Sequence, residues 1–130
     1  MMRSTILTLT LALFFCCAGC ATMRLQSVSE MNHERHIIPA CKDFKAAVAR
    51  AALGRRWIVQ EVRPGVLRCT MNARAHSVVV DVVYDAKNFS IVYVDSSNMM
   101  YDASADVINR RYHHWVRNLA KDIQVYASQQ

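Results

Sequence analysis

Leu67-Arg68-Cys69-Thr70-Met71-Asn72-Ala73-Arg74 is the stretch that decides the fold, because every second residue changes character. Leu67, Cys69, Met71 and Ala73 fall on one side, Arg68, Thr70, Asn72 and Arg74 on the other. A side-chain period of two marks a strand with one buried and one solvated face. The pattern continues over His76 to Tyr84, where Val78, Val80, Val82 and Tyr84 take the core side. Ser77, Val79, Asp81 and Val83 are left facing outward or toward an oligomer neighbour. Upstream, Trp57 to Arg63 reads as a strand, and Pro64-Gly65 fits the central positions of a type II turn. Downstream, Asp85-Ala86-Lys87-Asn88 turns the chain into Phe89 to Asp95, with Phe89, Ile91 and Tyr93 inward. Four strands joined by such short connections predict an antiparallel meander.

The period changes on both sides of the strands. In Asp43 to Leu53, Phe44, Ala47, Val48, Ala51 and Ala52 form an apolar stripe. Asp43 suits the N-cap and Gly54 a left-handed stop. Beyond the strands, Ile108, Tyr112, Trp115, Val116, Leu119, Ile123 and Tyr126 recur at three- and four-residue steps, with Asp106 placed to cap a helix from Val107 to about Tyr126. The expected fold is α+β: a four-stranded antiparallel sheet with an N-terminal and a C-terminal helix on one face, a two-layer sandwich.

The N-terminus decides location. Met1-Met2-Arg3 is a short positive start, and Ser4 to Phe15 is apolar but too short for a spanning helix, which needs about 20 apolar residues. It ends in Cys17-Ala18-Gly19-Cys20, read as a lipoprotein cleavage and acylation site. Residues 1–19 are then the signal peptide. Cys20 carries diacylglycerol and an N-acyl chain in place of any cofactor, and 20–42 are a flexible tether to a single domain at 43–130. Cys17 stands where such sites usually have Leu, so cleavage near Ala18 to Ala21 with a soluble product is the rival outcome. Ala21 after Cys20 resembles the outer-membrane class.

The whole chain has a net charge of +6. Removing Arg3 with the leader leaves 15 basic and 10 acidic residues, a net +5. The basic residues crowd into 20–74, while 75–106 hold one basic and five acidic groups. Such a surface suits anionic headgroups or cell-wall polymers, or simply a solvated face. Export argues against nucleic acid as a partner. In an oxidising compartment Cys41 and Cys69 have two open fates: a disulfide closing a 29-residue loop, worth on the order of 3–4 kcal/mol, or two separately buried thiols.

Gly54-Arg55-Arg56-Trp57, Pro64-Gly65-Val66-Leu67, Val80-Asp81-Val82-Val83-Tyr84-Asp85, Tyr93-Val94-Asp95-Ser96-Ser97-Asn98 and Tyr112-His113-His114-Trp115-Val116 follow one another in an order that resembles a family of small uncharacterised bacterial lipoproteins. The resemblance covers about residues 43–126 and the leader. It implies an envelope location and an αββββα domain, and carries no established reaction. The chain departs from the pattern at His113-His114, where small polar residues are expected, and at Val92, where a basic one is.

Residues carrying chemistry are sparse. Asp95, Ser96, Asn98, Tyr101 and Asp102 form the candidate binding loop, since polar loops held on rigid sheets are where function concentrates. The same side chains also suit a purely local role, bonding neighbouring amides. Calcium is disfavoured by the missing central glycine and terminal Glu. His33 and His36 lack further ligands, so no metal site is expected. Ser96, His113 and Asp81 lack the glycines of a nucleophile elbow. The expectation is a non-enzymatic, lipid-anchored module that contacts an envelope protein or cell-wall component, with a soluble periplasmic binder of a small anionic ligand as the alternative. Oligomeric state is left open.

Overall fold

The structure is a computed structural model and describes residues 25–130. The leader at 1–19 and the acylation candidate Cys20 lie outside the described residues. The elements are α1 (Val28–Asn32), β1 (His36–Ile37), α2 (Phe44–Gly54), β2 (Trp57–Arg63), β3 (Val66–Ala73), β4 (His76–Tyr84), β5 (Asn88–Ser97) and α3 (Arg110–Ser128). The strands form one sheet in the order β1-β5-β4-β3-β2, antiparallel throughout. The α+β class and the antiparallel meander therefore follow from the alternation. The expected count of four strands is corrected to five, and the expected two helices to three.

The alternation of β3 and β4 becomes packing directly. Cys69 lies opposite Val80, Leu67 opposite Val82 and Met71 opposite Val78, all six buried on one face. Phe89 and Ile91 of β5 extend that face. Val48, Ala51 and Ala52 of α2 and Tyr112, Val116, Leu119 and Ile123 of α3 join the same apolar cluster. Alanines on α2 let the two helices approach closely, and Arg55 closes their edge with a bond to Asp122 at 2.5 Å. Gly65 has φ +83, and a Cβ there would meet the Tyr84 carbonyl at 3.2 Å, so the β2–β3 turn requires glycine as expected. The left-handed residue after α2 is Arg56, at φ 64, rather than Gly54.

The segment expected to be a tether is largely part of the domain. Ser27 and Glu30 form a reciprocal capping box: the Ser27 hydroxyl accepts from the Glu30 amide at 3.2 Å, and the Glu30 carboxylate from the Ser27 amide at 2.8 Å. The box starts a single-turn helix whose Val28 and Met31 are 2% and 3% exposed, inside the main core. Apolar burial outweighs the weak intrinsic stability of five helical residues. At the β4–β5 register shift the Tyr93 amide donates to the Asn32 side chain at 2.8 Å, fastening α1 to the sheet. β1 then pairs His36 with Phe89 and Ile37 with Asn88, and the two rings of the first pair stack at 4.9 Å. Two residues are too few to show a period, which is why β1 left no mark in the alternation.

Candidate functional site

The candidate loop lies between β5 and α3, and its polar groups are mostly spent on each other. Asp95 and Ser96 belong to the end of β5, and the Ser96 amide donates to the Asp95 carboxylate at 2.8 Å. The Ser96 hydroxyl lies 2.9 Å from the Tyr93 hydroxyl, and the Tyr101 ring packs tilted against the Tyr93 ring at 4.4 Å between centroids. Tyr93 thus draws Ser96 and Tyr101 together, and its own pKa is raised, first by burial. Asn98 has φ 55, and its carbonyl accepts from His76 Nδ1 at 2.7 Å. Asp102 is occupied elsewhere. It accepts from the hydroxyl and amide of Ser104 and from the Ala105 amide, and these bonds hold its carboxyl below the usual range. The five residues do not converge on one point.

Asp106, expected to cap α3, caps α1 instead. Its carboxylate accepts from the Ser29 amide at 3.1 Å and from the Ser29 hydroxyl. Asn109 is the N-cap of α3, accepting from the Arg111 amide at 3.0 Å. The helix therefore starts three residues later than the sequence predicts. Cys41 and Cys69 are free thiols in the structure, Cys41 half-buried and Cys69 buried. Cys69 is fully enclosed between Val59 and Val80 on the core face. Burial, with the nearby Asp81 charge adding to it, pushes its pKa up to about 12. The neutral thiol behaves as a small apolar group.

Two further surfaces stand out. The first is the sheet face away from the helices. Ile58, Thr70 and Val79 lie abreast across β2, β3 and β4, and Gln60, Arg68, Asp81 and Val92 form the next row. Ile58 is 63% exposed and Val83 at the end of β4 is also open. Arg68 grips Asp81 in a two-pronged bond of 2.8 and 3.0 Å at the centre. No helix among the described residues covers this face, since the apolar stripes of α2 and α3 belong to the opposite one.

The second surface is the end of the sandwich where α3 begins. A groove of about 700 Å³ is lined there by Arg74, His76, Arg111, His114 and Trp115, and by no acidic residue. Trp115 is half-buried: it packs against the core cluster, as its place in the stripe predicts, and also forms a wall of the groove. His113, the next residue back from His114, is buried and donates from Nε2 to the Gln26 carbonyl at 2.7 Å. Sequence reasoning missed this cluster because its members come from a hairpin turn and a helix start far apart in the chain. Only Arg110-Arg111-Tyr112-His113-His114-Trp115 hinted at it. The Ser27-Val28-Ser29-Glu30 capping signature, by contrast, was there to be read and predicts α1.

Comparison with protein-family models, with curated proteins and with solved structures gives no match for this chain.

Proposed function

We propose that the chain is a non-enzymatic outer-membrane lipoprotein, facing the periplasm and anchored through acylated Cys20, that binds an envelope protein through the open face of its sheet. The anchor rests on the sequence 1–20 and on the resemblance to small bacterial lipoproteins. The observation that carries the binding surface is exposed Ile58 and Val83, with half-buried Val79 between them, on a sheet face that no helix among the described residues covers. Apolar side chains on either side of one fixed ion pair give a partner both contact area and a register mark. The Asp95–Asp102 loop supports the role less well, since its hydrogen bonds are turned inward.

Intact mass of the protein purified from membranes, beside Cys20→Ala, tests the anchor. Residues 20–130 plus acyl chains, lost in the variant, are expected. A chain beginning near Ala21 without acyl mass refutes it. A photo-crosslinking residue at Val79, compared with one at exposed Ala49 on α2, tests the surface in cells. One discrete adduct from Val79 alone is expected, and equal yields from both positions refute the reading.

The basic groove at the start of α3 favours a second reading, a soluble periplasmic module that binds a small anionic or cell-wall ligand. Release of the protein into the periplasmic fraction without detergent is its expected signature.

A further inference from the structure

We propose that the end of the domain bearing the α3 N-terminus docks flat on an anionic lipid bilayer. Arg74, Arg110 and Arg111 would meet the headgroup phosphates, and Leu25, Met100 and Val107 would enter the interfacial layer. The proposal deepens the anchored-lipoprotein reading and rests on it for the orientation of the domain.

Three observations converge. First, apolar side chains cluster where nothing in the fold needs them. Met100 is 74% and Val107 52% exposed, and both line one shallow surface with Arg110. Val107 also borders a cleft with Leu25 and His113, so the apolar patch is continuous from the loop to the first described residue. Met100 holds φ 50, a backbone state that a long side chain occupies at a cost and that sets it in this exposed place.

Second, the cations are placed against their own helix. Arg110 and Arg111 occupy the first turn of α3, with no acidic residue in that turn. The helix dipole is positive there, so two guanidinium groups oppose it. An external anion answers both the dipole and the arginines. Arg111 continues into the groove with Arg74, and the ion pairs among the described residues, Lys45–Glu61, Arg55–Asp122 and Arg68–Asp81, use none of these three cations. The acids on this end are otherwise engaged, Asp106 by Ser29 and Asp102 by its own turn.

Third, the chain enters the domain at this end. Gln26 is held by the buried His113 ring, and its side chain accepts from Arg117 at 2.8 Å. From Cys20 to Gln26 is six residues, a span of at most ~20 Å. An acylated Cys20 would therefore hold this end, rather than the open sheet face or the far end of α3, near the membrane. A short anchor beside a surface of arginine and exposed apolar side chains matches how peripheral proteins combine one lipid signal with a basic patch.

Hydrogen exchange of the full chain, as purified from membranes, tests this in vesicles of phosphatidylcholine alone and of equal parts phosphatidylcholine and phosphatidylglycerol. Slower exchange at residues 98–111, together with the turn at Arg74 and the segment at Leu25, is expected in the anionic vesicles only. A surface arginine contributes roughly fivefold to affinity, so R110Q/R111Q should lower the docked-to-undocked ratio about 25-fold and abolish the difference. That variant relieves the α3 dipole, so misfolding does not imitate the result. Met100→Asn, which tolerates the left-handed backbone, should weaken protection in the same segment. Equal exchange in both vesicle types, or protection unaltered by R110Q/R111Q, overturns the proposal. Intact mass of the same samples keeps the two readings apart. Acylated protein without protection sinks the docking surface alone, whereas protection of unacylated protein supports the surface and removes the anchor.

Discussion

The Asp106 carboxylate reaches back 77 residues to Ser29, accepting its amide at 3.1 Å and its hydroxyl as well. One side chain thereby caps α1 and fixes the loop that leads into α3. Asp106 sits at φ 55 to do so, and Val28 beside Ser29 donates its amide to the Asp106 carbonyl at 3.4 Å. The N-terminal segment and the start of the last helix are one structural unit.

Asp106→Asn tests that unit. Asparagine keeps the left-handed backbone but not the charge, so the bonds from Ser29 weaken without a change of shape. The denaturation midpoint is expected to fall, and amides of residues 28–32 should exchange faster than those of β3 and β4. An unchanged midpoint with uniform exchange would show that α1 is held by apolar contacts alone.

Asp106 also sets part of the acid response. The hydroxyl of Ser29 holds its pKa below the ordinary 3.8, the Ser104 hydroxyl does the same for Asp102, and the Lys87 and Asn88 amides for Asp85. A carboxyl lowered on folding contributes stability that is complete above the unfolded value and is lost as pH falls through the folded one. Stability should therefore hold level down to about pH 4 and decline below it. Asp106→Asn should flatten that decline, and an equal slope in both proteins would contradict the assignment.

Tyr112 is fully buried, and its hydroxyl has no hydrogen-bond partner. Burial raises its pKa, keeping the phenol neutral. An unsatisfied buried hydroxyl costs free energy that a ring of the same shape does not. Tyr112→Phe is expected to stabilise the domain by about 1 kcal/mol in urea denaturation. A loss of similar size would mean that the hydroxyl has a partner in solution.

Alternation in Leu67 to Tyr84 was enough to read the sheet because a two-residue period leaves one register in which every apolar side chain is buried. β2 came out at Trp57–Arg63 as expected, and Asp43 does cap α2. What escaped was built from contacts rather than periods. β1 is two residues long, and α1 is one turn whose stability comes from Met31 and Val28 entering a core formed by later elements. The start of α3 escaped because Asp106 had two helices within reach and serves the earlier one. Of the candidate loop, Asn98, Tyr101 and Asp102 follow the sheet's end while Asp95 and Ser96 still belong to β5, and whether Asp102 faces a ligand or Ser104 is a matter of loop conformation, which residue type alone does not fix.

Cys41 and Cys69 are both free thiols but differ in reach. Cys41 is half-buried, and Cys69 has no exposed surface. Peptide-mapped alkylation of the native protein should label Cys41 within minutes and Cys69 only after denaturant is added. Because folding raises the Cys69 pKa from 9.0 to about 12, its contribution is complete below pH 9 and is lost as pH rises toward 12. Cys69→Ala should remove that alkaline step. A disulfide-linked peptide containing both residues would overturn the free-thiol state.

Met31 separates an integrated N-terminal segment from a tether. In a tether its side chain would be wet, and truncation would cost nothing. Here it is 3% exposed, in one apolar cluster with Ile91 and Val116. Met31→Ala removes three heavy atoms from that cluster and leaves space that rigid neighbours on β5 and α3 fill only in part. The expected loss is about 2–4 kcal/mol in urea denaturation, within the range for a buried Met→Ala change. Glu34→Ala, three residues along and outside that cluster, should cost little. Equal and negligible losses for both would free residues 25–38 from the domain, and with them the close approach of its α3 end to any anchor at Cys20.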